Sequence, residues 1–188
     1  MPAIIPLTPV ESFPLTTAVL NVTNQCNLSC GYCYEYSEDK IVDTTNGAQP
    51  KFMTDETARK SIDLLFRESG EVEVVHVSFF GGETLMNYPV LSRAVPYAKA
   101  QAEAHGKRVE FNLTTNATLL TTKMIEFLAQ EDISVTVSVD GPRDMQNRFR
   151  VFHDGSGSYD VMLPRVRELL QRHRSRPIGA RVTLTSQV

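Results

Sequence analysis

The sequence predicts an α/β fold: a parallel sheet of five strands joined by helices, in the order β(αβ)₄. Three observations lead there. Five short β-prone runs alternate with segments whose apolar residues recur at helical spacing, and that alternation implies right-handed crossovers. The strand runs are rich in Val and Phe, which predicts strands covered on both faces. Every polar motif of note falls just after a strand, and in parallel α/β folds that carboxyl edge is where ligands bind.

The elements follow in order. Thr17 to Val22 is the first strand, and a cysteine-rich loop follows it at once. Thr54 has the character of an N-cap, with Asp55 and Glu56 in the first turn, where the helix dipole favours acids. Ala58, Ile62, Leu65 and Phe66 then recur at helical spacing, and Ser69-Gly70 ends the helix. Val72 to Phe80 is the second strand and runs into Gly81-Gly82-Glu83. A helix is expected from Pro89 to Gly106, with a kink or break at Pro96.

Val109 to Thr114 is the third strand, followed by Thr115-Asn116. Thr122 to Gln130 carries Met124, Ile125, Leu128 and Ala129 on one side, as a helix does. Ser134 to Val139 is the fourth strand and ends in Asp140-Gly141-Pro142. A helix from Asp160 to Arg174 and a last strand from Ala180 to Leu184 complete the chain, with Pro164 blurring the start of that helix.

Two features stand outside this scheme. The stretch from Tyr34 to Met53 is a long connection without helical period, of the kind that serves as a lid or is disordered. The fifth strand has no covering helix after it, which leads to the expectation that the 188 residues are part of a longer protein. Residues 1–15 read as an N-terminal extension and residues 16–188 as the core domain, incomplete after its fifth strand.

Composition narrows the class. A net charge of −3 gives no reason to expect nucleic acid or an acidic membrane surface. No stretch reaches the roughly 18–20 apolar residues of a membrane span. No signal peptide is evident before Pro14. Three closely spaced cysteines fit a reducing compartment better than a disulfide framework, so a cytoplasmic location is expected.

Those cysteines are Cys26, Cys30 and Cys33, the only ones in the chain, in a C-x₃-C-x₂-C run. They offer three thiolates and no fourth, whereas a closed structural zinc site needs four ligands. An iron–sulfur cluster held by three cysteines keeps one iron open. Zinc with a remote fourth ligand is the alternative, although His76, His105, His153 and His173 show no ligand spacing. A third alternative treats the cysteines as small buried apolar residues, which Asn27, Gly31 and Tyr32 between them do not suit.

The run with its aromatic Tyr32 resembles the signature of the radical S-adenosylmethionine (SAM) superfamily. Gly81-Gly82-Glu83 resembles that superfamily's second motif. The segments from Leu113 to Leu120 and from Ser138 to Pro142 are similar to those of a narrower group, the SPASM-type peptide and protein maturases. That group includes the anaerobic sulfatase-maturating and the quinohemoprotein amine dehydrogenase maturation enzymes. The likeness runs from about Thr16 onward, with departures at Thr84, where the group often has Pro, and Ala117, where it often has Gly. The further cysteines that hold that group's auxiliary clusters are absent from this chain.

The resemblance implies a partial (β/α) barrel, the radical SAM core, ending after its fifth strand. It implies a [4Fe–4S] cluster on Cys26, Cys30 and Cys33, with SAM chelating the open iron through its amino and carboxylate groups. One electron, from a donor such as flavodoxin or ferredoxin, would cleave SAM to a 5′-deoxyadenosyl radical that takes hydrogen from a substrate. Gly81 and Gly82 would let the backbone approach the methionyl group, and Glu83 would accept from its amine. Asn116 and Ser138 would meet the ribose or carboxylate, or else cap their turns. Arg148 or Arg150, with Arg150 preferred, would pair with the carboxylate, or else be solvated. Tyr32 would lie beside the adenine. Asp140 reads first as a turn residue, His76 as core, and the Arg172-to-Arg176 cluster as a solvated helix end.

The function expected from the resemblance is oxidation or thioether cross-linking of a peptide or protein. Two alternatives stand beside it: a radical SAM enzyme of small-molecule cofactor synthesis, and a non-catalytic iron–sulfur-binding fragment. The substrate and the catalytic acid or base are not legible.

Overall fold

The structure, a computed structural model, describes residues 13–33 and 52–185. Five parallel strands lie in the order β1-β2-β3-β4-β5: Thr17–Thr23, Val74–Gly81, Arg108–Thr115, Ser134–Ser138 and Gly179–Arg181. Helices α1 (Asp55–Arg67), α2 (Tyr88–Ala104), α3 (Thr122–Gln130), α4 (Arg143–Phe149) and α5 (Tyr159–Arg172) connect them. This is the α/β architecture that the alternation of patterns predicts. Most of the long connection expected between Tyr34 and Met53, and the first 12 residues of the expected extension, lie outside the described residues.

Local chemistry places the ends. The Thr54 hydroxyl accepts from the Thr57 N–H and caps α1, and Thr121 does the same for α3 through Met124. Gly70, with φ +50°, takes the left-handed conformation just after α1. Pro89 stands in the first turn of α2, where its missing N–H costs nothing.

Several expectations are corrected. The strands are not buried on both faces. Burial alternates, with Leu20, Val22, Val75, Val77, Phe79, Phe111, Leu113, Val135 and Val137 packed in the core. Their neighbours Ser78, Asn112, Ser134 and Thr136 share the other, half-buried face, where Asn112 donates to Ser78 Oγ at 2.8 Å. The Val content hid a period of two. His76 belongs to that polar face, 3.7 Å from Glu110 and with its side chain 41% exposed, and so is not a core residue.

Of the kink or break expected at Pro96, the break does not occur: α2 runs unbroken from Tyr88 to Ala104. Pro96 sits on the exposed side, while Leu91, Val95, Ala98 and Ala102 hold the buried side on both flanks. A further correction is α4, a short helix after Pro142 that the sequence reading passed over. The last strand is also shorter than expected, three exposed residues in place of five.

Candidate functional site

Because all five strands are parallel, the loops after β1, β2, β3 and β4 emerge at one edge. There they line a cavity of about 210 Å³. All ten residues singled out from the sequence reach it: Cys26, Cys30, Tyr32, Cys33, Gly81, Gly82, Glu83, Asn116, Ser138 and Arg150. The sequence reading missed Leu28, Phe80, Thr114, Thr115, Arg181 and Thr183, which also line it. Arg181 was findable from topology, since it pairs in register with Ser138 on the neighbouring strand and so shares its face.

The cysteine loop is held by backbone. Cys33 N–H donates to the Cys30 carbonyl at 3.0 Å and closes the turn between them. The segment after α4 straps the loop from outside: Ser29 N–H donates to the Val151 carbonyl at 2.8 Å and Gly31 N–H to the Phe149 carbonyl at 3.0 Å. His153 adds a contact at 3.0 Å from its Nε2 to the Cys26 carbonyl oxygen. All three cysteines are free thiols. Burial pushes Cys26 up to about 12 and Cys30 up to about 11, with Arg150 pulling the second value back.

The second motif is built around the start of that loop. Gly82 N–H donates to the Thr23 carbonyl at 2.9 Å, and Glu83 N–H to the Gln25 carbonyl at 2.8 Å. Gly81 has φ +146°, and a Cβ there would run into the Thr23 carbonyl. Only glycine lets the two strand ends close this tightly. Glu83 is 1% exposed, and its carboxylate takes three donors from the chain itself. Oε1 accepts from the Leu85 N–H at 3.0 Å and from Thr115 Oγ1 at 2.7 Å, while Oε2 accepts from the Asn116 N–H at 2.7 Å. Burial raises its pKa, and these donors oppose the rise.

Asn116 joins the third motif to the cysteine loop. Its Nδ2 donates to Asn27 Oδ1 at 3.0 Å and lies 3.9 Å from the Cys26 sulfur. Its Oδ1 accepts from the N–H and hydroxyl of Thr118. Ser138, at the end of β4, is half-buried at the cavity wall. Arg150 is buried and paired with Asp140 at 3.0 Å, whereas Arg148 lies exposed over the Phe149 ring. Asp140, expected as a turn residue, is instead a buried acceptor that also takes the Tyr32 hydroxyl.

The sequence profile of the radical SAM superfamily matches residues 20–183. The chain belongs to the radical SAM superfamily. It is 32% identical over 166 residues to a serine-type anaerobic sulfatase-maturating enzyme of Bacteroides thetaiotaomicron, covering 85% of this chain and 37% of that protein. It is 28% identical over 170 residues to the Fe-coproporphyrin III synthase of Methanosarcina barkeri, covering 90% of this chain and 37% of that protein. In fold it is similar to native anSMEcpe with bound AdoMet and the Kp18Cys peptide, with a TM-score of 0.73 at 19% identity over 90% of this chain and 42% of that one. The chain thus spans well under half the length of these relatives.

Membership in the radical SAM superfamily implies SAM and an iron–sulfur cluster as cofactors, and the residues present fit both. Three thiols face one cavity without a fourth ligand, a set suited to a cluster with one open iron. The two departures from the resemblance also have local reasons. Thr84 is buried and donates its hydroxyl to the Thr114 carbonyl at 2.8 Å, tying β2's exit to β3. Ala117 has φ +64°, a conformation that explains why glycine is common there.

Among the described residues, no helix is long and apolar enough to cross a membrane.

Proposed function

We propose that this chain is the cofactor-binding core of an enzyme that modifies a peptide or protein by radical SAM chemistry, through oxidation or thioether cross-linking. The observation that carries the reading is the gathering of Cys26, Cys30 and Cys33 with Gly81, Glu83, Asn116, Ser138 and Arg150 around one cavity. Cys26, Cys30 and Cys33 would hold a [4Fe–4S] cluster. When bound, cluster and SAM supply a one-electron cleavage that yields a hydrogen-abstracting radical.

The chain's own residues do the rest. Three thiols lose their protons to bind iron, against the burial that keeps Cys26 and Cys30 protonated. The Gly81-Gly82 backbone leaves room for the methionyl end of SAM. Glu83 Oε2 makes one bond to the chain and keeps acceptor capacity for the amine. Asn116 and Ser138 would meet the ribose or carboxylate, Arg150 would pair with the carboxylate, and Tyr32 would lie beside the adenine.

Electrons come from a small reduced carrier such as flavodoxin or ferredoxin, in a reducing compartment such as the cytoplasm, where free thiols persist. The peptide substrate is supported by the relative that matures sulfatases and by the similar structure bound to a peptide. A second reading, a small-molecule tetrapyrrole-type substrate, is favoured by the likeness to a coproporphyrin synthase.

Anaerobic reconstitution with iron and sulfide tests the cofactor assignment. A cubane cluster whose reduced electron paramagnetic resonance (EPR) spectrum changes on adding SAM supports it. A loaded cluster indifferent to SAM, or equal loading in Cys30→Ala, sinks it.

A further inference from the structure

Three separate segments meet on the carboxylate of Asp140, whose side chain is only 4% exposed. Oδ2 accepts from the Tyr32 hydroxyl and from Arg150 Nε at 3.0 Å. Oδ1 accepts from the Thr183 N–H, just beyond β5, at 3.2 Å. The residue's own N–H donates to Gln146 Oε1 at 2.8 Å, and Gln146 in turn donates to Ser158 Oγ at 3.2 Å. The carboxylate, carried just beyond β4, is thereby fixed from the cysteine loop, from Arg150 after α4 and from the exit of β5.

Tyr32 stands between Gly31 and Cys33. Among the described residues its hydroxyl ties the Cys30–Cys33 turn to the rest of the fold through the Asp140 carboxylate and the Thr183 side chain, beside backbone ties such as Gly31 N–H to the Phe149 carbonyl. The Tyr32 ring is also flanked by Phe149 at 5.8 Å and by the Arg150 guanidinium at 5.3 Å. Arg150 is a buried cation whose counter-charge is Asp140, so its orientation at the cavity wall depends on the same carboxylate.

We propose that Asp140 is a positioning residue, which aims the Cys30–Cys33 turn through Tyr32 and holds Arg150 against the cavity. The proposal rests on the reading of that cavity as the site of the cluster and SAM. Asp140 touches neither; it acts through its two partners.

The test compares wild type, Asp140→Asn, Tyr32→Phe and the double variant after anaerobic cluster loading. Two quantities are read: the EPR spectrum of the reduced cluster without SAM, and the SAM dissociation constant from the spectral change on titration. Asp140→Asn is expected to load a cluster with a shifted spectrum and to bind SAM at least about tenfold more weakly. Tyr32→Phe is expected to shift both the same way but less, and the double variant to fall well short of the sum of the two, because the hydroxyl acts in large part through the carboxylate.

A merely structural Asp140 would lower the unfolding temperature and leave spectrum and affinity of the loaded protein unchanged; that result overturns the proposal. Additive effects in the double variant overturn it too. If Asp140→Asn does not fold, Tyr32→Phe decides alone, since it keeps the ring and the Asp140–Arg150 pair, and an unchanged spectrum and affinity then count against the proposal. If the wild-type cluster ignores SAM, the SAM reading of the cavity fails, and the SAM-free spectra still decide the role of Asp140.

Discussion

The Glu83 carboxylate accepts the backbone N–H of Asn116 at 2.7 Å, so the exit of β2 is bonded directly to the exit of β3 in the wall of the cavity. With Thr115 Oγ1 and the Leu85 N–H on its other oxygen, one acidic side chain organises two of the four motifs. Removing it leaves three donors without their acceptor. Glu83→Ala is expected to destabilise the fold by about 3 kcal/mol or more, and Glu83→Gln by less because one oxygen remains. Urea unfolding checks the order, and an equally stable Glu83→Ala would contradict it.

The same group sets a pH dependence. Burial raises the Glu83 pKa above its ordinary value, so the folded chain favours the protonated form. That contribution is complete below the unfolded carboxylate value and is lost as pH rises through the folded one. The stability of wild type relative to Glu83→Gln is therefore expected to fall as pH rises from the acid side, as measured by unfolding at a series of pH values.

The metal-free thiols give a second pH signature. With Cys26 near 12 and Cys30 near 11 from burial, both are neutral at pH 8. Alkylation of these two by iodoacetamide, read by mass spectrometry, is expected to be slow at pH 8 in the folded apo protein. It should be fast in urea and rise steadily toward pH 11. The sign carries to stability: raised thiol values mean that the metal-free fold weakens as pH climbs above the ordinary thiol value of 9.0.

Gly81 tests the closure of the two strand ends. Its φ of +146° and the Thr23 carbonyl in the path of a Cβ predict that Gly81→Ala costs about 2 kcal/mol or more. Because Thr23 begins the cysteine loop, the same variant is expected to load less iron per chain than wild type. Unfolding and iron assay read the two effects separately.

Ala117 is the opposite case. It pays left-handed strain at φ +64° yet buries its methyl completely. Ala117→Gly relieves the strain but loses that methyl and adds chain entropy, so the net change is expected to stay within about 1 kcal/mol. Ala117→Val, β-branched at the same φ, is expected to cost about 2 kcal/mol or more. Thermal unfolding of the pair checks this, and a stabilised Ala117→Val would refute the strain argument.

The order of strands and helices was legible because apolar period and capping residues such as Thr54 and Thr121 act locally. The convergence of the motifs was legible too, since parallel strands put their exits on one edge. What local pattern could not carry was partnership across the fold. Asp140 reads as a turn residue until Tyr32, 108 positions away, is seen to donate to it. Arg181 gains meaning only from its register with Ser138. Helix α4 was passed over because its seven residues bury only Gln146, too little for an apolar period.

One measurement tests the central claim most directly. The protein, loaded anaerobically with its cluster, is given dithionite and SAM, and the products are separated by liquid chromatography. The account predicts 5′-deoxyadenosine from wild type and none from Cys30→Ala. A fully loaded wild-type cluster that yields no 5′-deoxyadenosine would contradict it.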